Sequence, residues 1–133
     1  RNISKLLIPQ NYDLTLFFEA IYSFNWVLEN RKYTNNYEYN RAIYLMNQEE
    51  FLDNNFLLIK ESTEMVSPLG VLYYTRYSNT DQVLDLLNEN AAKIQCIAVS
   101  NPKGKEVRFG EAQKPNVWDY ADGIDTLSFL ENI

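Results

Sequence analysis

The chain contains no histidine and a single cysteine, Cys96. The first absence excludes a Ser-His or Cys-His nucleophile pair within the chain, and every metal site that needs imidazole. The second excludes an internal disulfide framework and suits a reducing cytoplasm. Basic residues are outnumbered 12 to 18 by acids and are scattered, so a nucleic-acid backbone, which selects clustered Lys and Arg, is not the expected partner. No apolar run approaches the ~20 residues that span a bilayer, and no signal-peptide pattern opens the chain. Neither a G-x-G-x-x-G turn nor a P-loop is present to cradle phosphate.

What is present suits one modest core in 133 residues. "ISKLLI" at 3–8 reads as a buried strand ended by Pro9. A strand of that kind at the first residues suggests that sheet neighbours precede Arg1. "NYDLTLFFEAIYSF" sets Leu14, Phe17, Phe18, Ile21 and Tyr22 at helical spacing, which predicts a helix over about 12–23. "NWVLENRKYTNN" reads as a polar turn, and "YEYNRAIYLMN" as a helix capped by Asn35 or Asn36. "FLLIK" at 56–60 and "LGVLYYTRY" at 69–77 read as strands. A helix near 80–89 follows, with Ser78 three residues before Asp81 as a capping-box variant, then a strand at 94–99. The last three elements would form a βαβ unit, and the expected fold class is α/β with a mostly parallel sheet and covering helices.

Four candidate chemistries present themselves. Cys96, inside an expected strand and with no cation beside it, reads as a small hydrophobe rather than a nucleophile. Asp119, Asp122 and Asp125 in "WDYADGID" tempt a calcium loop, but with Gly123 at position 6 the first position is Trp118 and the twelfth Phe129. Turn-capping aspartates are the better reading. Eighteen acids offer many carboxylate pairs, none set across a cleft by the sequence. Glu64, in "KESTEMVSPLGVL", reads from composition alone as an exposed loop residue.

Five stretches, "RNISKLLIP", "RKYTNNYEYNRAIYLMN", "SPLGVLYY", "KIQCIAVS" and above all "FGEAQKPNVWDYADGIDTLSFL", together resemble the C-terminal part of the luminescence-type fatty-acyl-CoA reductases. These belong to the aldehyde dehydrogenase superfamily. The resemblance covers essentially the whole chain: 1–108 as the C-terminal portion of the catalytic domain and 109–133 as its tail. It implies that the catalytic cysteine stands immediately ahead of Arg1, with the nucleotide-binding half before it, so that no catalytic residue and no metal ligand lies within the chain. It also implies a fatty acyl-CoA substrate and NADPH as reductant, NADH being left open, and a cytoplasmic enzyme.

Residue by residue, the resemblance carries three positions. Glu64 stands four residues before Pro68, as does the superfamily glutamate that accepts hydrogen bonds from the nicotinamide ribose, with Val66 and Ser67 in place of an aromatic and a glycine. Phe109-Gly110 resembles the Phe-Gly turn that lines the acyl tunnel. Asn2 and Ser4 would lie close to the missing thiol. An unpaired strand at 3–8 leaves a homo-oligomer open. The rival expectation is a non-catalytic α/β interaction domain that uses its ten tyrosines as contact surface.

Overall fold

The computed structural model describes residues 3–104, 106–117, 119–120 and 124–132. Described residues 3–89 form one compact unit and those from Asn90 onward another. The first contains β1 (Lys5–Pro9), α1 (Leu14–Ile21), a 3-10 segment (Tyr22–Glu29), α2 (Arg31–Met46), β2 (Leu52–Asp53), β3 (Leu58–Glu61), β4 (Val71–Tyr77) and α3 (Thr80–Glu89). In the four-stranded sheet the order is β1-β4-β3-β2. β1 and β3 run parallel to β4, with Lys5 opposite Tyr73 and Glu61 opposite Tyr74, and β2 is antiparallel to β3. The α/β class and the mostly parallel sheet are therefore as the sequence implies.

Side chains alternate across the pleat, and both faces of this sheet are covered. Leu58 and Ile59 are neighbours that point to opposite faces, yet both are completely buried. On one face Leu58 and Val71 pack against Tyr37 and Tyr44 of α2. On the other, Ile59 shares a cleft wall with Leu14 and Phe18 of α1. The tyrosines of this core keep their hydroxyls satisfied: half-buried Tyr33 donates to Phe56 O at 2.8 Å and buried Tyr37 to Asp53 Oδ1 at 2.7 Å. These tyrosines are core residues with a polar tip, whereas Tyr22, Phe24, Trp26 and Tyr39 are exposed.

Helix entry differs from the sequence reading at α2 and α3. Asn30, extended at φ −80° and ψ 105°, accepts from Lys32 N and Tyr33 N and starts α2 at Arg31. The expected polar turn over "NWVLENRKYTNN" is instead a 3-10 segment running into this cap. Asn36, expected near the cap, sits in the second turn with its amide donating back to Lys32 O at 2.7 Å. Before α3, Asn79 rather than Ser78 accepts from Gln82 N, while Gln82 Oε1 accepts from Ser78 N. That is a capping box displaced by one residue.

The turn into β4 is set by a glycine. Val71 N donates to Pro68 O at 3.1 Å, closing a turn in which Gly70 holds φ +83°. Glycine is required twice over, because a Cβ on Gly70 would lie 2.9 Å from Tyr37 Cα. Asn40, buried on α2, donates to Leu69 O at 3.1 Å and fastens the same turn.

The second unit holds a 3-10 turn (Ala91–Lys93), β5 (Ala98–Val99), β6 (Val107–Arg108) and α4 (Thr126–Glu131). β5 pairs in parallel with β6, which corrects the expected βαβ unit. β4 already carries β1 on one edge and β3 on the other, so it has no edge to offer a strand following α3. β5 is also shorter than the strand expected at 94–99, and Cys96 stands outside it, exposed rather than buried. No helix among the described residues is long and apolar enough to cross a membrane.

Candidate functional site

Glu64 lies in the turn that follows β3, and its position depends on the first strand. Ser62 N donates to Tyr74 O at 3.1 Å, prolonging the β3–β4 ladder by one step. The chain then folds back over the sheet, with Glu64 N donating to Ser62 Oγ at 3.1 Å. Across β4, Tyr73 N donates to Ser4 O at 3.1 Å, so the entry to β1 is fixed at the same level. Lys5 reaches over the sheet: its ammonium donates to Ser62 O and, at 3.0 Å, to Glu64 O. Thr75 Oγ1 also donates to Ser62 O, at 2.9 Å. The start of β1 and the Glu64 turn, 59 residues apart in sequence, are thus tied together.

Partial burial pushes the Lys5 ammonium below its ordinary value, and the nearby Glu64 and Glu61 carboxylates act in the opposite sense. Glu64 itself is exposed, and its carboxylate makes no hydrogen bond among the described residues. Its two oxygens are therefore acceptors open to solvent on a backbone held by Lys5. Such a group suits a vicinal diol, which presents two hydroxyl donors at carboxylate spacing.

Phe109 and Gly110 belong to the second unit, in a turn after β6 where Glu111 N donates to Arg108 O at 3.0 Å and Gly110 has φ +84°. The Phe109 ring is 71% exposed, so it is no core anchor. The acidic run supplies caps. Asp125 accepts from Leu127 N and Ser128 N at the start of α4, and Asp119 accepts from Asn116 N at 2.7 Å. Arg1, Asn2, Trp118, Asp122 and Gly123 lie outside the described residues.

A feature the sequence reading missed is a cleft of about 430 Å³ at the carboxyl ends of the parallel strands. Its wall includes Tyr12, Asp13, Phe18, Glu61, Tyr74 and Arg76. Open parallel sheets commonly place ligands at this end. Arg76, however, is committed: its Nη1 donates to Gln10 O at 2.8 Å and Tyr12 O at 3.1 Å, and its guanidinium lies over the Tyr74 ring. It ties the β1–α1 loop to β4 rather than presenting a free cation. Burial, followed by Glu61, pushes the Tyr74 phenol up, with Arg76 opposing. Only the parallel register, pairing Glu61 with Tyr74, brings these groups together. No spacing along the sequence announces them.

No family model matches the chain, and neither the curated proteins nor the solved structures contain a match to it.

Proposed function

We propose that this chain is the C-terminal part of the catalytic domain of a cytoplasmic fatty-acyl-CoA reductase of aldehyde-dehydrogenase type, using NADPH. The observation that supports the reading is the tie between Lys5 and the carbonyls of Ser62 and Glu64. On this reading the nucleophilic cysteine immediately precedes Arg1, and Glu64 holds the nicotinamide ribose. The two must then work within one site, and the tie between β1 and the Glu64 turn supports that.

The chemistry is covalent. The cysteine thiolate attacks the thioester carbonyl, a new C–S bond forms, and coenzyme A leaves as its thiol. A bound nicotinamide nucleotide supplies the hydride that reduces the resulting acyl-thioester carbon. The thiohemiacetal then releases aldehyde as the C–S bond breaks and the cysteine is regenerated. This chain's part is to accept hydrogen bonds through Glu64 and to hold that carboxylate in place. Phe109, with its ring exposed in its own unit, is assigned to the acyl chain, where each buried methylene is worth ~0.8 kcal/mol.

The test is acyl-CoA-dependent NADPH oxidation by the full-length protein, with short to long acyl chains. Glu64→Gln should raise the KM for NADPH about tenfold, as befits a lost charge-assisted hydrogen bond, and leave the KM for acyl-CoA unchanged. A wild-type protein that turns over no acyl-CoA with either nucleotide defeats the reading. The second reading, an interaction domain, draws on the 3-10 segment, where Tyr22, Phe24 and Trp26 are each more than half exposed. Capture of a protein partner that Trp26→Ser abolishes, together with catalytic silence, would favour it.

A further inference from the structure

We infer that Lys5 is a positioning residue that locks the Ser62–Glu64 turn against β1 and so sets where the Glu64 carboxylate meets a nicotinamide nucleotide. This rests on the reductase reading and goes beyond it, because neither the sequence pattern nor the resemblance assigns Lys5 a role.

The geometry separates Lys5 from the other cations of the sheet. Lys60 pairs with Glu49 and lies over the Tyr44 ring, within reach of the core. Arg76 gathers the carbonyls of the loop at the opposite, carboxyl end of β1. Lys5 alone among these three sends its ammonium to the main chain on both sides of residue 63. A carboxylate partner could swing away on its side chain. Two carbonyls with one residue between them cannot, so bonding both fixes the orientation of the backbone between them. Ser62 O has a second donor in Thr75, whereas Glu64 O has Lys5 as its sole donor among the described residues. Loss of the ammonium therefore frees the Glu64 end of the turn first.

The arrangement has a further consequence for the proposed chemistry. Lys5 sits on the strand that leads back to the nucleophile, and its other end grips the ribose-binding turn. One side chain thereby fixes the separation between thiol and cofactor, and small errors in such a separation are costly in rate. Nothing in this role requires Lys5 to exchange a proton or to touch substrate.

The experiment uses the full-length protein with Lys5→Met, Lys5→Arg, Thr75→Val and Glu64→Gln. Lys5→Met should raise the KM for NADPH about tenfold, the scale of a lost charge-assisted bond, with the KM for acyl-CoA and the Tm little changed. Lys5→Arg, which can still donate to both carbonyls, should return to within about threefold of wild type. In a Glu64→Gln background Lys5→Met should add nothing further, because the effect runs through that carboxylate. Amide exchange at Glu64 should quicken in Lys5→Met. Thr75→Val, isosteric and milder, should move the NADPH KM in the same direction and serves where Lys5→Met does not fold. An unchanged NADPH KM in these variants overturns the inference, as does a loss of kcat, both KM values and Tm together. Failure of the reductase reading is distinct: the wild type then shows no acyl-CoA-dependent oxidation, and the positioning role falls with it even if the exchange data show the clamp.

Discussion

Gly70→Ala probes the contact that seats α2 on the sheet. The glycine occupies φ +83°, where an L-residue costs roughly 1–2 kcal/mol. A Cβ there would also stand 2.9 Å from Tyr37 Cα and 3.0 Å from Tyr37 N. These are backbone atoms in the middle of a helix, so they cannot rotate aside as a side-chain tip would. Either α2 lifts or the turn distorts, at a cost of about 1–3 kcal/mol for an overpacked site. Lifting also strains the Asn40 bond to Leu69 O and the Leu58 N bond to Gly70 O. The total is about 2–5 kcal/mol, a large share of the ~5–15 kcal/mol typical of a domain. For a unit of this size the Tm should fall by about 10–30 °C. Urea denaturation followed by far-ultraviolet circular dichroism measures the effect. Gly70→Asn supplies the decisive control. Asparagine tolerates positive φ, so it would recover most of the loss if conformation alone were at stake. It carries the same Cβ, so it should still lose the ~1–3 kcal/mol of the overpacked contact. A near-native Gly70→Asn protein would refute the close-approach argument.

The remaining predictions concern groups whose partners the fold fixes. Tyr37→Phe should lower stability by about 1.5–3 kcal/mol, the range for hydrogen bonds to a charged group, since the Tyr37 hydroxyl donates to Asp53 Oδ1; the shift in urea midpoint reads it. Burial first, and the Asp53 hydrogen bond second, push the Tyr37 phenol above its ordinary value. Its contribution is therefore fully present below the unfolded pKa of ~10 and is lost as pH rises through the folded value. Ultraviolet titration should show one fewer late-ionising phenol in Tyr37→Phe. Asp13 behaves oppositely: the Thr15 N–H, then its hydroxyl, hold the Asp13 carboxyl below its usual range. Its cap on α1 should persist above the unfolded value of ~3.9 and be lost as pH falls through the folded one, which Thr15 amide exchange follows. A Thr15 protection factor unchanged across that window would refute the cap.

The elements that local chemistry dictates were legible in the sequence, and those that depend on a distant partner were not. β4 announces itself through β-branched and aromatic residues behind a Pro-x-Gly turn, and α3 through its apolar spacing. Asn30 is not distinguished in the sequence because Asn35 and Asn36 are equally good caps by type, and only the extended backbone at 30 singles it out. The βαβ expectation failed for a topological reason. Periodicity marks β4 as a strand but cannot reveal that β1 and β3 occupy both its edges. The same limit hid the cleft, whose Glu61 and Tyr74 meet through interstrand register. Glu64 is exposed, as its composition and loop setting imply, but its tie to Lys5 emerges only when β1 is laid beside β4.

The absence of histidine acquires a sharper meaning against this geometry. A site that must pass protons near neutral pH needs a group poised to titrate there. The groups gathered around the Glu64 turn are of another kind: an ammonium bonded to carbonyls, a hydroxyl bonded to a carbonyl and an exposed carboxylate. Each holds or orients, and none has to change its charge to do so. On the proposed reductase reading, thioester reduction through a thiol would ask little more of this region. The nucleophile would be activated by its own acidity and the hydride would come from the cofactor. What remains is to keep acceptor and donor at a fixed separation while the bonds change. A chain without histidine is sufficient for that, provided its rigidity is concentrated where β1 meets the Glu64 turn. The first place to weaken it is therefore Lys5, and the parameter to watch is the NADPH KM rather than a pH optimum.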